Sequence, residues 1–488
     1  MSQVIVIGSG VGSLASALRL RAKGHHVKVF EAGAEVGGKL GVHKSEGYRW
    51  DTGPSLFTMP HFVDELFQLF NENPRGHFNY QKQKVVCNYF WEDGTRFSSN
   101  ASIEKFCSEA ADTFGEPKEK IAKYLAKSAL KYDLTASLFL EKSLHKLGTY
   151  TSAKAFKSVL QAGKLDISKN LNEVNEESFA NPKLVQFFNR FATYNGSSPY
   201  KTPGIMSMIP TLEMQFGTFY PKGGMRTIVE SLWKLGERNG IEFFFNEKAT
   251  SIDYENNTIC GVTTNKQGYS AEIVVSGIDA FYTYTSLLPK LKAPKKTLEQ
   301  EKSSSAIIFY WGVKKAFPEL DLHNIFFGAN YKAEFDSIFE TKTLPKDPTV
   351  YVNISSKADK DDAPEGSENW FVMINVPTNN GQNWGELVQK AKEAVLSKLS
   401  RNLGEDISKL IEKESVLDPV KIELNTSSHQ GSLYGSASNN KFSAFLRHPN
   451  FSNQIKGLYF CGGSVHPGGG IPLCLKSGQI VADLIADA

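Results

Sequence analysis

The sequence predicts an α/β protein with an α+β region inserted, built on a discontinuous core to which both ends of the chain contribute. Three observations carry this reading. At the N-terminus the β-branched run Val4-Ile5-Val6-Ile7 enters Gly8-Ser9-Gly10-Val11-Gly12-Ser13 and then residues 14–20, which have helical spacing. Near the other end, 457–461 reads as a strand followed by a glycine-rich turn over 462–472 and a helix over 473–486. Between them, strand-like runs at 306–313, 349–354 and 370–376 and a helical stretch at 384–402 imply a mixed sheet. At 488 residues the chain needs more than one core, since single cores seldom grow beyond about 250–300 residues.

Composition narrows the class. The chain is 41% hydrophobic and 22% charged, as in ordinary globular proteins. Fifty-five basic residues against 52 acidic ones leave a net charge of +3, too balanced for nucleic acid to be the expected partner. The aromatic share is 12%, with 33 Phe and 18 Tyr, which is first of all core material. The cysteines (Cys87, Cys107, Cys260, Cys461 and Cys474) show no metal or C-x-x-C spacing, so a reducing compartment and no structural metal are expected. A strand beginning within the first residues leaves no room for a secretory leader. No apolar run approaches the roughly 18–20 residues of a membrane span. A cytoplasmic protein with at most peripheral membrane contact is expected.

The N-terminal strand, glycine turn and helix form a Rossmann-like, dinucleotide-binding unit. Gly8, Gly10 and Gly12 let backbone approach a pyrophosphate, and the helix N-terminus offers free N–H groups and partial positive charge. The third glycine of G-x-G-x-x-G is Ser13, still small enough for close helix-to-strand packing. A second strand over 26–30 ends at Glu31, close to the offset of about 20 residues at which a carboxylate reaches the adenosine ribose. This acid disfavours a 2′-phosphate. Gly37-Gly38-Lys39 follows, then Trp50-Asp51-Thr52-Gly53-Pro54-Ser55.

Glu-x5-Gly-Gly-Lys followed by Asp-Thr-Gly-Pro resembles the flavoprotein amine oxidase and carotenoid desaturase superfamily. The resemblance implies bound FAD, with Gly37, Gly38, Lys39, Gly53, Pro54 and Ser55 along its pyrophosphate and ribityl chain. The C-terminal string His466-Pro467-Gly468-Gly469-Gly470-Ile471-Pro472 resembles the carotenoid desaturase signature of the bacterial phytoene desaturase type. With Gly462-Gly463-Ser464 before it, the string is most like the 1-hydroxycarotenoid 3,4-desaturase (methoxyneurosporene dehydrogenase-like) branch. Gly462, Gly463, Gly470, Ile471 and Pro472 are then expected at the flavin ring, where the helix N-terminus stabilises negative charge on the reduced form. His466, in a turn that brings backbone near a ligand, is expected to have its imidazole satisfied locally.

Interior likeness extends the match over nearly the whole chain, weakest from about 95 to 185. Phe219-Tyr220-Pro221-Lys222-Gly223-Gly224-Met225 matches a family turn, and 246–252 occupies the adenine-contact segment, which nominates Ala249. The implied organisation is an FAD domain from 1–85, 215–290 and 425–488, a helical substrate or membrane-contact region over 86–214, and a mixed-sheet substrate domain over 291–424. The resemblance implies hydride transfer to flavin N5 with loss of a vicinal proton. No His-Asp pair, nucleophile elbow or metal cluster marks a proton acceptor. Family likeness alone nominates Lys157, Arg190 and Glu213.

Residues 117–170 read as helical with a basic bias. Lys142, Lys146, Lys154, Lys157, Lys164 and Lys169 interleave with Leu140, Leu144, Leu147, Tyr150, Phe156, Val159, Leu160 and Leu165. Such a stretch is either a solvated face over a core or an interfacial membrane contact. The resemblance implies a lipophilic carotenoid substrate and peripheral association with the inner face of the cell membrane. Phytoene desaturation, amine oxidation, and flavin-free prenyl-lipid escort by relatives of Rab GDP-dissociation inhibitors are the competing readings. Oligomeric state is not legible.

Overall fold

The computed structural model describes residues 1–487 apart from 152–160, 162 and 164. Its first layer is a five-stranded, all-parallel sheet in the order Leu458–Phe460, Ile273–Ser276, Gln3–Ile7, His26–Phe30, Glu242–Phe244. The central strand is the N-terminal one. Buried on both faces, its apolar residues carry no polar alternation, as a parallel strand covered by helices requires.

The helices Val11–Ala22 and Ile471–Leu484 cover one face together. They cross at backbone distance. A Cβ on Gly478 would lie 2.7 Å from the Ser16 nitrogen and 2.8 Å from the Gly12 carbonyl oxygen. A Cβ on Gly12 would meet the Gly462 backbone at 3.1 Å. The closing helix starts two residues earlier than the 473–486 expected, with Pro472 in its first turn, where a missing N–H costs nothing.

The second layer is a seven-stranded mixed sheet, ordered Ile411–Leu417, Ser305–Val313, Glu368–Val376, Val350–Ile354, His323–Phe326, Val85–Phe90, Arg96–Asn100. Here the structure departs from the sequence reading. The stretch over 86–214, expected to be helical, opens with two strands. Val85–Phe90 pairs parallel with His323–Phe326 and antiparallel with Arg96–Asn100. The run VVCNYF has strand character, and a partner more than 200 residues away decides its place.

Alternation gives this sheet two distinct faces. Phe309, Trp311, Val352, Val372 and Ile374 pack with Trp384, Ala391, Val395 and Leu399 of the helix Trp384–Leu403. Ile308, Tyr310, Ile325, Tyr351, Phe371 and Met373 face the opposite way, over the nucleotide-binding layer. The remaining 117–214 region is helical where described: Lys118–Phe139, Leu171–Ser178 and Pro182–Asn189. The helix Leu171–Ser178 begins at a capping box of Asn170 and Glu173.

The crossing of the first and last helices generates a test. Gly478→Leu is expected to destabilise the protein by about 1–3 kcal/mol or more through overpacking against immovable backbone, read as a lowered midpoint of denaturant unfolding.

Candidate functional site

A cavity of about 1430 Å³ lies between the parallel sheet and the roof formed by the mixed sheet. Ligand pockets usually measure about 300–1,000 Å³, so this one has room for two occupants. Every residue that the sequence assigned to the cofactor lines it, although the assignments came from both ends and the middle of the chain.

The floor is made by two helix N-termini. The helices starting at Val11 and Ile471 are N-capped by Gly10 and Gly470, and neither cap accepts a side-chain hydrogen bond. Their first N–H groups are left for a ligand. No atom lies within 4 Å of the Cβ position of Gly10 or of Gly470. A side chain there would project into open cavity. Gly470 also has φ of +110°, a conformation reserved for glycine.

Side chains fasten the turns to the rest of the floor. Glu31 accepts from Ser9 N at 2.9 Å, Ser9 Oγ at 2.7 Å and Gly33 N at 2.8 Å, so its carboxylate is fixed at the end of its strand. Lys39 donates to the carbonyls of Leu433 at 2.7 Å and Ser432 at 3.2 Å, which ties the double-glycine turn to the C-terminal part of the chain. Burial lowers its pKa, with Asp279 and Cys474 opposing. Asp51 accepts from the backbone N–H groups of Met225 at 3.0 Å and Arg226 at 3.3 Å, ahead of the helix Thr227–Arg238. Ala249 enters the wall as the first residue of the strand Ala249–Glu255. Open backbone, two uncapped helix ends and a positioned carboxylate form a cradle for a dinucleotide, and the residues present fit FAD.

Under the roof the chemistry changes. Arg190 and Glu213 line the cavity and are 7% and 1% exposed. Arg190 Nη2 donates to both carboxylate oxygens, at 2.9 and 3.1 Å, and Tyr194 donates to one of them. Burial opposes the arginine's charge, but the Glu213 carboxylate together with Tyr89 and Cys87 outweighs it and raises the Arg190 pKa. Burial likewise makes Glu213 more basic than a surface carboxylate, against the pull of Arg190. The guanidinium also lies 4.2 Å from the Phe191 ring centroid. Lys157, the third nominee, lies outside the described residues.

His323 and Tyr351 were missed as site residues. Tyr351 bridges Ser55 Oγ at 2.8 Å and His323 Nδ1 at 2.7 Å, and both line the cavity. Burial lowers the His323 pKa to about 3, with Arg190 adding to the effect. The available signal was the polar residue on an otherwise apolar alternating face, His323 beside Ile325. Arg447 was missed too. It is 3% exposed, donates to the Tyr434 carbonyl at 2.8 Å, and burial lowers its pKa to about 10.

His466 points away from the cavity. Its Nε2 lies 2.9 Å from the Lys142 carbonyl and its ring packs edge-on against Phe139 at 5.2 Å. In the basic stretch, Leu140, Leu144 and Leu165 are buried, Lys169 pairs with Glu177, and Lys146 lies over the Phe451 ring at 4.1 Å. Lys154, Phe156, Val159, Leu160 and Lys164 lie outside the described residues. Among the described residues no group of three or more His, Cys, Asp and Glu could hold a metal ion, and no helix is long and apolar enough to cross a membrane.

The floor and roof together define an oxidoreductase with a dinucleotide cradle on one side and a mostly apolar substrate wall on the other. The chain belongs to the flavin-containing amine oxidoreductase family, whose model matches residues 14–486, and within it to the carotenoid desaturases. It is an FAD-dependent enzyme. A 1-hydroxycarotenoid 3,4-desaturase from Flavobacterium sp. (strain P99-3) is 57% identical over 99% of both chains. A 4,4'-diapolycopene oxygenase from Methylomonas sp. is 30% identical over 99% of this chain and 98% of its own. A phytoene desaturase from Fusarium fujikuroi is 29% identical over 99% of this chain and 89% of its own. Among solved structures, an oxidoreductase from Methanosarcina mazei superimposes with a TM-score of 0.64 at 15% identity, covering 99% of this chain and 100% of that one. Cyclohexylamine oxidase from Brevibacterium oxydans gives 0.61 at 13%, covering 99% and 98%. At such identities these two establish the fold alone.

Two outcomes are expected from the buried charges. Arg190→Met should lose about 3–5 kcal/mol by stranding Glu213, and the double variant with Glu213→Leu should regain most of it, because a buried pair contributes little net stability. Denaturant midpoints of the variants check this. His323, His448 and His466 have pKa values lowered by burial to about 3, 4 and 4, below the ordinary 6.5. The unfolded chain therefore takes up protons that the fold refuses, and stability should fall as pH drops below about 6.5, by up to about 1.4 kcal/mol per pH unit for each histidine. Thermal melts between pH 4 and 8 read the slope; stability rising towards pH 4 would contradict it.

Proposed function

We propose that the protein is an FAD-dependent carotenoid desaturase that introduces a double bond between C3 and C4 of an acyclic or monocyclic 1-hydroxycarotenoid. The 57% identity to a 1-hydroxycarotenoid 3,4-desaturase over 99% of both chains carries this reading. The cavity agrees with it in chemistry. Its roof presents Ile308, Ile325, Phe371 and Met373 to a flat, apolar ligand, and Glu213 is already engaged by Arg190, which leaves it poorly suited to holding a cationic amine.

In this reading Gly8, Gly10, Gly12 and Ser13 hold the pyrophosphate, Glu31 the adenosine ribose and Ala249 the adenine. Gly37, Gly38, Lys39, Gly53, Pro54 and Ser55 run along the ribityl side, and Gly462, Gly463, Gly470, Ile471 and Pro472 border the flavin ring. Bound FAD supplies the two-electron acceptor for the hydride lost by one carbon. The proton lost by the neighbouring carbon needs a base, and Glu213, made more basic by burial and held by Arg190 and Tyr194, is suited to take it. The apolar roof keeps water from the reacting carbons.

The substrate dissolves in lipid, so the reading includes docking on a membrane surface. Phe442 and Leu446 are 74% and 40% exposed, on a segment whose Ala444 and Arg447 line the cavity. They give the protein an apolar rim next to the substrate's way in.

Incubation of the purified yellow protein with carotenoids in liposomes tests the function. Hydroxylated substrates should gain one double bond, seen as a red shift of the product absorption, while phytoene remains unchanged. Efficient phytoene turnover would overturn the 3,4-desaturase reading, and a colourless protein that takes up no FAD would overturn the redox reading.

A further inference from the structure

One part of the cavity wall is polar in a way that neither cofactor nor hydrocarbon explains. His323 is 2% exposed and stands among Ile325, Phe371 and Met373 on the roof. One ring nitrogen is engaged: Nδ1 lies 2.7 Å from the Tyr351 hydroxyl and 3.2 Å from Asn353 Nδ2, whose amide also donates to the Leu322 carbonyl at 2.9 Å. Ser55 Oγ, 2.8 Å from the Tyr351 hydroxyl, completes the chain from the floor. Nε2 has no partner among the described residues. A buried ring nitrogen left unpaired in an apolar wall is unfavourable, and its pairing with a ligand hydroxyl, which both donates and accepts, removes the penalty. Arg190 Nε is a second buried polar atom without a partner among the described residues, and Arg190 lines the same cavity.

We infer that the His323–Tyr351–Ser55 chain is the seat of the substrate's C1 hydroxyl, with His323 Nε2 hydrogen-bonded to that hydroxyl. The inference rests on the proposed function and supplies its specificity. C1 is two carbon–carbon bonds from C3, so a hydroxyl there must bind close to the reacting carbons. The chain reaches from the roof to the cofactor side of the same cavity, because it ends at Ser55, directly after the Gly53-Pro54 turn that borders the cradle. The imidazole is neutral throughout the physiological range, since burial and Arg190 lower its pKa to about 3. A site built to hydrogen-bond a hydroxyl discriminates against the analogue lacking it far more strongly than an apolar pocket discriminates by size. His323 is thus a specificity-determining residue, and Tyr351 and Asn353 are positioning residues that hold its ring through Nδ1.

The test compares kcat/KM of the FAD-loaded enzyme for a 1-hydroxylated acyclic carotenoid and for the same carotenoid with hydrogen in place of the hydroxyl, both in liposomes. The wild type should favour the hydroxylated substrate. His323→Leu should reduce that preference about tenfold to a hundredfold, chiefly through KM for the hydroxylated substrate. His323→Gln, whose amide can still hydrogen-bond the hydroxyl, should restore part of it. Tyr351→Phe should lower it less than His323→Leu; this change removes a single oxygen and decides the matter if the leucine variant does not fold. A wild type that desaturates carotenoids without preferring the hydroxylated one, or variants that slow both substrates equally, would overturn the inference and leave the desaturase reading standing. A wild type that turns over neither substrate would overturn the desaturase reading and the inference with it.

Discussion

Everything in this molecule depends on how closely two helices from opposite ends of the chain approach each other. Val11–Ala22 and Ile471–Leu484 approach backbone to backbone at Gly12 and Gly478, where even a methyl group would crowd main-chain atoms. Only that contact lets the two uncapped N-termini open onto one cavity. Spread apart by a side chain, they would be two separate turns with half the positive potential each. Glycine at these positions is a steric requirement of the site, over and above its role in the turns themselves.

The mixed sheet solves a second problem, that of a surface apolar on both sides. One face packs on the helix Trp384–Leu403 and the other roofs the cavity, so its strand Ser305–Val313 is buried throughout and carries no polar alternation. The roof is therefore stiff where it faces solvent-excluded core and smooth where it faces the ligand. Polar groups on its inner face are few, and each is held: Tyr310 donates to the Thr52 carbonyl at 3.0 Å, and Tyr351 bridges Ser55 and His323. These bonds also tie roof to floor across nearly 300 residues of sequence.

Charge inside the cavity is similarly confined. The Arg190–Glu213 pair is almost wholly buried and ringed by Tyr89, Phe191 and Tyr194. An apolar ligand beside such a pair keeps water out and strengthens its field, while the pair's neutrality spares the ligand a net charge. Arg447 differs, being a buried cation held by a carbonyl and a hydroxyl near the C-terminal turn.

By itself the sequence determined the cofactor half of the protein. Each of its parts is local: a strand, a glycine turn and a helix follow one another within Gln3–Ala22 and again within Leu458–Leu484, and glycines such as Gly8 and Gly470, whose φ is positive, are required where they stand. The apolar runs at 306–313 and 370–376 were readable as strands for the same reason. What only the tertiary structure decided was which distant residues meet. Val85–Phe90 and Arg96–Asn100 left the helical region for the mixed sheet because their pairing partner, His323–Phe326, lies more than 200 residues on. The grouping of Arg190 with Glu213, and of His323 with Tyr351 and Ser55, depends on sheet register and on the fit of roof to floor. A one-residue slip in any strand would turn these side chains to the other face, and no local pattern of residues records that register.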